Sequence, residues 1–147
     1  MAQTAEENWL RERVSTMGSF TDVFFAIETR EGRHIGNTNF FNVSPENRSA
    51  ELGIMIGEKD CWFKGYGSDA LVTLLRFGFD EMNLNRVELW VYGLNARAQS
   101  AYRKVGFIEE ARLRGDLYRE GAYDDAVVMG ILRDEFYAHH GHDGGGT

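Results

Sequence analysis

Residues Trp62–Ala70 read WFKGYGSDA, and this stretch decides how the chain around it folds. It follows a short apolar run, Ala50–Ile56 (AELGIMI), and precedes an amphipathic segment, Leu71–Met82. A strand, a turn with two glycines and a helix N-terminus form an anion cradle, because glycine leaves the backbone open and the first helical amides face a negative charge. Lys64 adds a positive charge at the rim. Taken alone, glycines between a strand and a helix are more often only a tight turn, so both interpretations stay open at this point.

Length and composition favour one globular domain. A chain of 147 residues can bury a core without disulfides, and its single cysteine, Cys61, fits a reducing cytoplasm. The net charge of −7 argues against nucleic-acid binding and weakly favours a cationic partner. No apolar run is long enough to span a bilayer, and the acidic start, Met1–Glu7, lacks a signal-peptide core. We therefore expect a soluble cytoplasmic protein that binds neither nucleic acid nor a membrane.

Apolar periodicity and turn residues predict the order of the elements. Three helices are predicted. The first is N-terminal, because Thr4–Glu7 has the spacing of a capping box and apolar residues follow at helical intervals (Trp9, Leu10, Val14 and Met17). The second extends over Ser68–Met82, and the third is a short helix that is capped by Asn95 and ends near Lys104, before Gly106. The predicted strands are Val23–Thr29, His34–Val43, Ser49–Ile56, Arg86–Tyr92, Glu109–Tyr118 and Tyr123–Leu132. We expect one domain over residues 1–137 and a flexible His/Gly-rich tail over 138–147.

Three blocks, taken together and in order, resemble the GNAT N-acetyltransferase superfamily. They are Ala50–Ile56, Lys64–Ser68 and Asn95–Phe107 (NARAQSAYRKVGF). The third is the most specific, with Asn, Ser and Tyr at fixed offsets before Gly-Phe. The resemblance extends over roughly residues 5–135 and is strongest to the branch that acetylates ribosomal-protein N-termini and spermidine.

The resemblance implies an α+β fold with a mixed, mostly antiparallel sheet and helices on both faces. It implies acetyl-CoA as co-substrate and no metal. The pantetheine arm would lie along β-strand residues, and the pyrophosphate would rest on the glycine turn. The implied cofactor-binding residues are Ile54, Met55, Ile56, Lys64, Gly65, Tyr66, Gly67, Ser68 and Asn95, with Arg97 or Ser100 reaching the cofactor from the following helix.

Amine acetylation needs a base and an acid. A primary amine has a pKa near ~10, so the acceptor must lose a proton before it attacks. Glu51 is the nearest candidate base, and an ion pair with Arg48 or Arg86 is the alternative. The departing thiolate needs a proton, and Tyr102 stands at the general-acid position of the family. Packing against the sheet is the alternative for Tyr102, and the resemblance favours the acid.

The chain also departs from the family. Trp62 stands where Arg or Gln is common, and the usual first strand and helix are absent ahead of the segment matching residues 4–17. Their loss would open one sheet edge, which a homodimer could cover. Two clusters are ambiguous: the tail histidines as metal ligands (His139, His140 and His142), and Trp90 with Tyr92 as ligand-site or core residues.

We therefore expect a cytoplasmic N-acetyltransferase that moves acetyl from acetyl-CoA to a primary amine by direct attack. The acceptor is a protein N-terminus, a polyamine or a small amine. The main alternative is a non-catalytic acyl-CoA-binding or regulatory module. A second alternative is an unrelated nucleotide-binding protein, although the glycine turn lacks the Lys-Ser/Thr pair of a P-loop.

Overall fold

A computed structural model describes residues 10–13, 23–28, 31–56 and 66–142. Over these ranges seven strands form one sheet, in the order β1-β2-β3-β4-β5-β7-β6. The strands are β1 (Leu10–Arg13), β2 (Val23–Glu28), β3 (His34–Ser44), β4 (Ser49–Ile56), β5 (Arg86–Tyr92), β6 (Ile108–Arg119) and β7 (Ala122–Leu132). The helices are α1 (Tyr66–Arg76), which continues as a π-helical turn over Phe77–Glu81, α2 (Ala96–Val105) and α3 (Arg133–His140).

The sheet is mixed and mostly antiparallel, as predicted. Every neighbouring pair is antiparallel except β4 and β5. These two strands run parallel and α1 lies between them in sequence, whereas residues 45–48 connect the antiparallel pair β3 and β4, and a two-residue turn connects β6 and β7. The turn between β6 and β7 places Glu120 and Gly121 at φ +53° and +83°, the conformation that two-residue hairpin turns require.

One hydrophobic core lies between the sheet and the helices. The alternating side chains of β5 and β7 that point into it are buried, and α1, α2 and α3 contribute to the same cluster. The central members are Phe40, Leu52, Leu71, Leu74, Leu75, Phe79, Val87, Leu89, Val105, Met129, Ile131 and Phe136. Within the described ranges all three helices pack on this face, so the expected second helical layer is not seen there.

The predicted strands from residue 23 onward are confirmed, with ends that shift by at most one residue. The N-terminal helix prediction was wrong at Leu10–Arg13, which pairs with β2 in an antiparallel register from Leu10↔Ile27 to Arg13↔Phe24. Helical spacing of apolar residues cannot reveal that a strand edge offers backbone partners. The rest of that predicted helix lies outside the described residues.

The first residues of the predicted tail, 138–140, lie in α3, which runs through His140. Arg76 donates hydrogen bonds to the carbonyls of His140 (3.3 Å) and Gly141 (3.1 Å), which satisfies the end of the helix. Tyr137 donates a hydrogen bond to Asp80. These tertiary contacts order a segment whose composition resembles a linker. The boundary of the domain at residue 137 stays a prediction.

Candidate active site

The centre of the sheet contains a gap between β4 and β5. Three residue pairs join these strands, Ser49↔Arg86, Ala50↔Val87 and Glu51↔Glu88. Beyond Glu51, β4 continues to Ile56 beside β3 alone within the described residues. The two parallel strands therefore diverge, and the β5-facing backbone groups of β4 line the gap. This stretch contains the predicted pantetheine residues Ile54, Met55 and Ile56.

The helix that follows β4 begins at the glycine motif. Tyr66, Gly67 and Ser68 form the first turn of α1, so their amides have no intrahelical carbonyl to which they can donate. An anion near this turn would meet free N–H groups and the positive end of the helix dipole. Lys64 and Gly65 lie outside the described residues, and their role stays a prediction.

The helix after β5 is held at both ends by sequence signals. The Asn95 side-chain oxygen accepts a hydrogen bond from the amide of Ala98 (3.1 Å), which confirms the predicted cap. Gly106 ends the helix at φ +127°, a conformation that L side chains rarely adopt, and donates to the carbonyls of Tyr102 and Arg103. The exposed Asn95 lies at the end of β5, beside the gap.

Tyr102 lies on α2 and packs against the core. Its ring meets that of Phe107 edge to face, with 6.0 Å between the centroids. Burial raises the pKa of the Tyr102 phenol above its ordinary value of 10.0. The side chain is therefore both packed, as the alternative interpretation expected, and protonated at neutral pH, as a general acid must be.

Glu51 lies on the opposite face of the sheet. Its neighbours Ala50 and Leu52 are buried in the core, so alternation points Glu51 away from the helices. Its carboxylate accepts a hydrogen bond from the side-chain amide of Asn42 (2.9 Å). The alternative of an ion pair with Arg48 is not seen, because Arg48 donates to Asn83.

A second carboxylate, which sequence reasoning missed, lies directly opposite Glu51. Glu88 accepts hydrogen bonds from Arg86 (2.8 Å) and from the indole of Trp90 (3.1 Å). Arg86 also binds Glu110 (2.6 Å). Burial acts to raise the pKa of Glu88, but the hydrogen bonds from Arg86 and Trp90 outweigh it and leave that pKa below its usual range. The alternation of residues 86–90 is the sequence signal for this arrangement, because it places the side chains of Arg86, Glu88 and Trp90 on one face of β5.

The other residues that the sequence singled out lie on different elements, and some are exposed while others are packed. Arg97 and Ser100 are exposed on α2. Trp90 is 46% exposed on the face away from the core, whereas Tyr92 lies under the guanidinium of Arg119 (4.2 Å). The imidazole Nε2 of His140 is hydrogen-bonded to the carbonyl of Val105 (2.6 Å). No cluster of three metal-ligating side chains occurs within the described ranges. None of the described helices is long and apolar enough to cross a membrane.

Diverging parallel strands, a glycine-led helix after the first and a capped helix after the second form an arrangement that suits an extended, anionic ligand. The model of the acetyltransferase (GNAT) domain matches residues 2–108. The chain therefore belongs to the GNAT acetyltransferase family, as the sequence motifs predicted.

Curated relatives and a solved structure agree with this assignment. The putative ribosomal N-acetyltransferase YdaF of Bacillus subtilis is 28% identical over 91% of this chain and 70% of its own length. The spermidine N(1)-acetyltransferase of Vibrio cholerae is 29% identical over 76% of this chain and 64% of its own length. A structure of the Vibrio cholerae enzyme in complex with CoA and spermine superposes with a TM-score of 0.76 at 27% identity, covering 80% of this chain and 69% of that one.

The chain is shorter than these proteins. It spans between 44% and 70% of the length of the first four curated relatives that it matches.

Proposed function

We propose that this protein transfers the acetyl group of acetyl-CoA to a primary amine. The observation that carries the proposal is the gap between β4 and β5, together with the helix after β4 that begins at the glycine motif. A β-strand without a partner on one side binds an extended chain bearing amides, and a helix N-terminus binds phosphate. Acetyl-CoA has both parts in one molecule.

The residues around the gap suit this co-substrate. The backbone of Ile54, Met55 and Ile56 would pair with the pantetheine arm, and the amides of Gly67 and Ser68 would meet the pyrophosphate. Asn95 would bind the arm from the other side of the gap, with Arg97 or Ser100 close to the cofactor. Acetyl-CoA supplies an activated acetyl carbonyl on a thiol leaving group.

Glu51 is the proposed base for the acceptor amine. It stands at the last residue pair before the gap opens, on the face of the sheet away from the helices. Glu88 is its neighbour across that pair, but its pKa is lowered and its oxygens are occupied by Arg86 and Trp90. A carboxylate held this way releases a proton readily and accepts one poorly, so Glu51 is the better base.

Tyr102 is the proposed acid for the leaving thiolate. It lies on α2 and packs against the core that the helices share with the sheet, and its raised pKa keeps the phenolic proton in place well above neutral pH. The cationic acceptor first gives one proton to Glu51, directly or through water, and then attacks as the neutral amine; it loses a second proton to water as the C–N bond forms. The thiolate gains one from Tyr102 as the C–S bond breaks, so acid and base end the cycle by exchanging a proton with water.

The acceptor is an amine that is cationic in solution. The relatives' names point to two such classes, protein N-termini and polyamines, and a small amine is the third candidate. The charge of −7 on the chain favours the approach of any of these. A homodimer stays a prediction.

Calorimetric titration with acetyl-CoA tests the cofactor site. The folded wild-type protein should bind, and Gly67→Glu should abolish binding, because its carboxylate would meet the phosphates. Gly67→Ala, which adds a methyl group without a charge, should weaken binding less than Gly67→Glu. Circular dichroism confirms that each variant is folded.

Release of the CoA thiol, followed with an amine panel, tests transfer. The panel contains spermidine, a peptide with a free N-terminus and the same peptide with its N-terminus blocked. Transfer to one amine and none to the blocked peptide supports the proposal. Binding without transfer to any amine would favour the non-catalytic module, and stabilisation by ATP or NAD but not by CoA would favour the nucleotide-binding alternative.

A further inference from the structure

α2 contains a buried amide side chain that none of the roles above uses. Gln99 is 5% exposed, although most glutamines lie at the surface. Its side-chain nitrogen donates hydrogen bonds to the carbonyls of Tyr92 and Gly93, each at 3.0 Å. Gln99 therefore ties the first turns of α2 to the C-terminal end of β5.

The loop bound by Gln99 is fixed from its other side as well. Gly93 donates its amide to the carbonyl of Asp125 (2.9 Å), and Leu94 donates to the side chain of Asp124 (3.2 Å). A Cβ on Gly93 would lie 2.9 Å from a guanidinium nitrogen of Arg112, so the loop is closely packed. Removal of the Gln99 side chain would abolish its hydrogen bonds to Tyr92 and Gly93 and leave the contacts of the loop with Asp124 and Asp125 in place.

The same loop controls two residues of the proposed site. Asn95 follows it directly and donates its own amide to the carbonyl of Tyr92 (3.0 Å), the atom that Gln99 also binds. Tyr102 lies three residues beyond Gln99, on the neighbouring part of the helix surface. A change in the angle between β5 and α2 would move Asn95 and Tyr102 together relative to the gap.

We propose that Gln99 is a positioning residue for acetyl transfer. Its two hydrogen bonds fix α2 against β5, so that Asn95 meets the cofactor and Tyr102 meets the leaving thiol. This inference rests on the proposed function. Misplacement by about 1 Å far from the reacting atoms lowers an enzyme's rate as much as 100-fold, so the effect should be large.

Two variants separate positioning from simple stability. Gln99→Met keeps the length of the side chain and removes both donors. Val105→Ala destabilises the same helix by removing buried methyl groups while leaving Gln99 in place. We expect Gln99→Met to lower kcat between about 10-fold and 100-fold and to raise the Kd for acetyl-CoA, with the acceptor KM unchanged. Val105→Ala should lower the melting temperature by a similar amount and leave all three constants within twofold of wild type.

Gln99→Glu supplies a readout that a merely structural role would not change. As a carboxylate it presents no donor to the two carbonyls, whereas its protonated form donates one hydrogen bond. The ratio of variant to wild-type kcat should therefore rise as the pH falls from 8 to 6. This variant carries the test by itself if Gln99→Met does not fold.

Kinetic constants of Gln99→Met equal to those of Val105→Ala, or a pH-independent ratio for Gln99→Glu, would overturn the inference while leaving the proposed function in place. A folded wild-type protein that neither binds acetyl-CoA nor transfers acetyl would overturn both. The two failures are therefore distinguishable.

Discussion

Replacing Tyr102 by Phe removes one oxygen atom and tests the general acid directly. The ring would keep its edge-to-face contact with Phe107 at 6.0 Å. The loss of a neutral hydroxyl that keeps its ring packed has little effect on stability. The proton for the leaving thiolate, however, would be missing. We expect kcat to fall while the Kd for acetyl-CoA and the melting temperature stay close to wild type.

General acid catalysis contributes about 10²- to 10⁴-fold to a rate. Each factor of ten is about 1.4 kcal/mol, so the variant should lose roughly 3–5 kcal/mol of transition-state stabilisation. The pH dependence follows from the raised pKa of Tyr102. The Tyr102 phenol is protonated below its ordinary pKa of 10.0 and loses its proton only as the pH passes the raised pKa of the folded protein. The wild-type rate should therefore fall at strongly alkaline pH, where Tyr102 is deprotonated. The variant should lack that fall. Initial rates of thiol release, measured as a function of pH for the wild type and for Tyr102→Phe, give both the loss of kcat and the alkaline fall in rate.

Tyr137→Phe is the matched control, because it makes the same chemical change at a residue outside the site. It removes the hydrogen bond from Tyr137 to Asp80, which joins α3 to the π-helical turn. A hydrogen bond to a charged group is worth about 1.5–3 kcal/mol, or roughly 6–12 °C in the melting temperature of a chain this size. Its kcat should not change. A kcat for Tyr102→Phe within twofold of wild type would refute the acid role. A loss of stability equal to that of Tyr137→Phe would instead contradict the small contribution of the Tyr102 hydroxyl to stability.

Three further changes test the fold and its dependence on pH. Asn95→Ala removes the side-chain cap on the amide of Ala98 and should lower the free energy of unfolding by about 1 kcal/mol in urea; an unchanged midpoint would contradict the cap. Gly78→Val should cost about 1–3 kcal/mol, because even a Cβ there would lie 2.8 Å from the buried ring of Phe40, and thermal melting measures it. The pKa of His140 is lowered, chiefly by burial, so the unfolded chain takes up a proton before the native one does. The stability of the wild type should therefore fall from pH 7 to pH 5 more steeply than that of His140→Gln, and parallel curves would show that His140 does not contribute.

Much of the fold could be predicted because its signals are local. The alternation in Arg86–Tyr92 gave the bounds of β5 exactly, and Asn95 with Gly106 marked both ends of α2. The failures occurred where partners far along the chain decide the structure. Leu10–Arg13 follows the spacing of a helix but pairs with β2, and the polar segment at Ala138–His140 is held in α3 by contacts from Arg76.

The sequence motifs of the candidate site could be predicted, but the residues that lie opposite one another in the sheet could not. Family resemblance marked Tyr102, and the need to deprotonate the amine marked Glu51. No local pattern could show that Glu88 stands opposite Glu51 in a parallel register of three residue pairs. Gln99 gave one signal that could have been used. It is a polar residue on the apolar side of an amphipathic helix, and such a residue needs a buried hydrogen-bond partner.

The divergence of β4 and β5 shows how one sheet could bring the proposed acid, Tyr102, and the proposed base, Glu51, to opposite sides of a reacting bond. In a closed sheet, Glu51 and the core-facing residues of α2 would be separated by a continuous layer of backbone hydrogen bonds. Pairing ends at Glu51 and Glu88, so beyond this point the layer is open and both faces border the same space. An amine could then approach from the face of Glu51 while the thiol leaves toward Tyr102 on the helical face. The core that buries Tyr102 also raises its pKa, so the packing that stabilises α2 and the protonation state required of the acid have one physical cause.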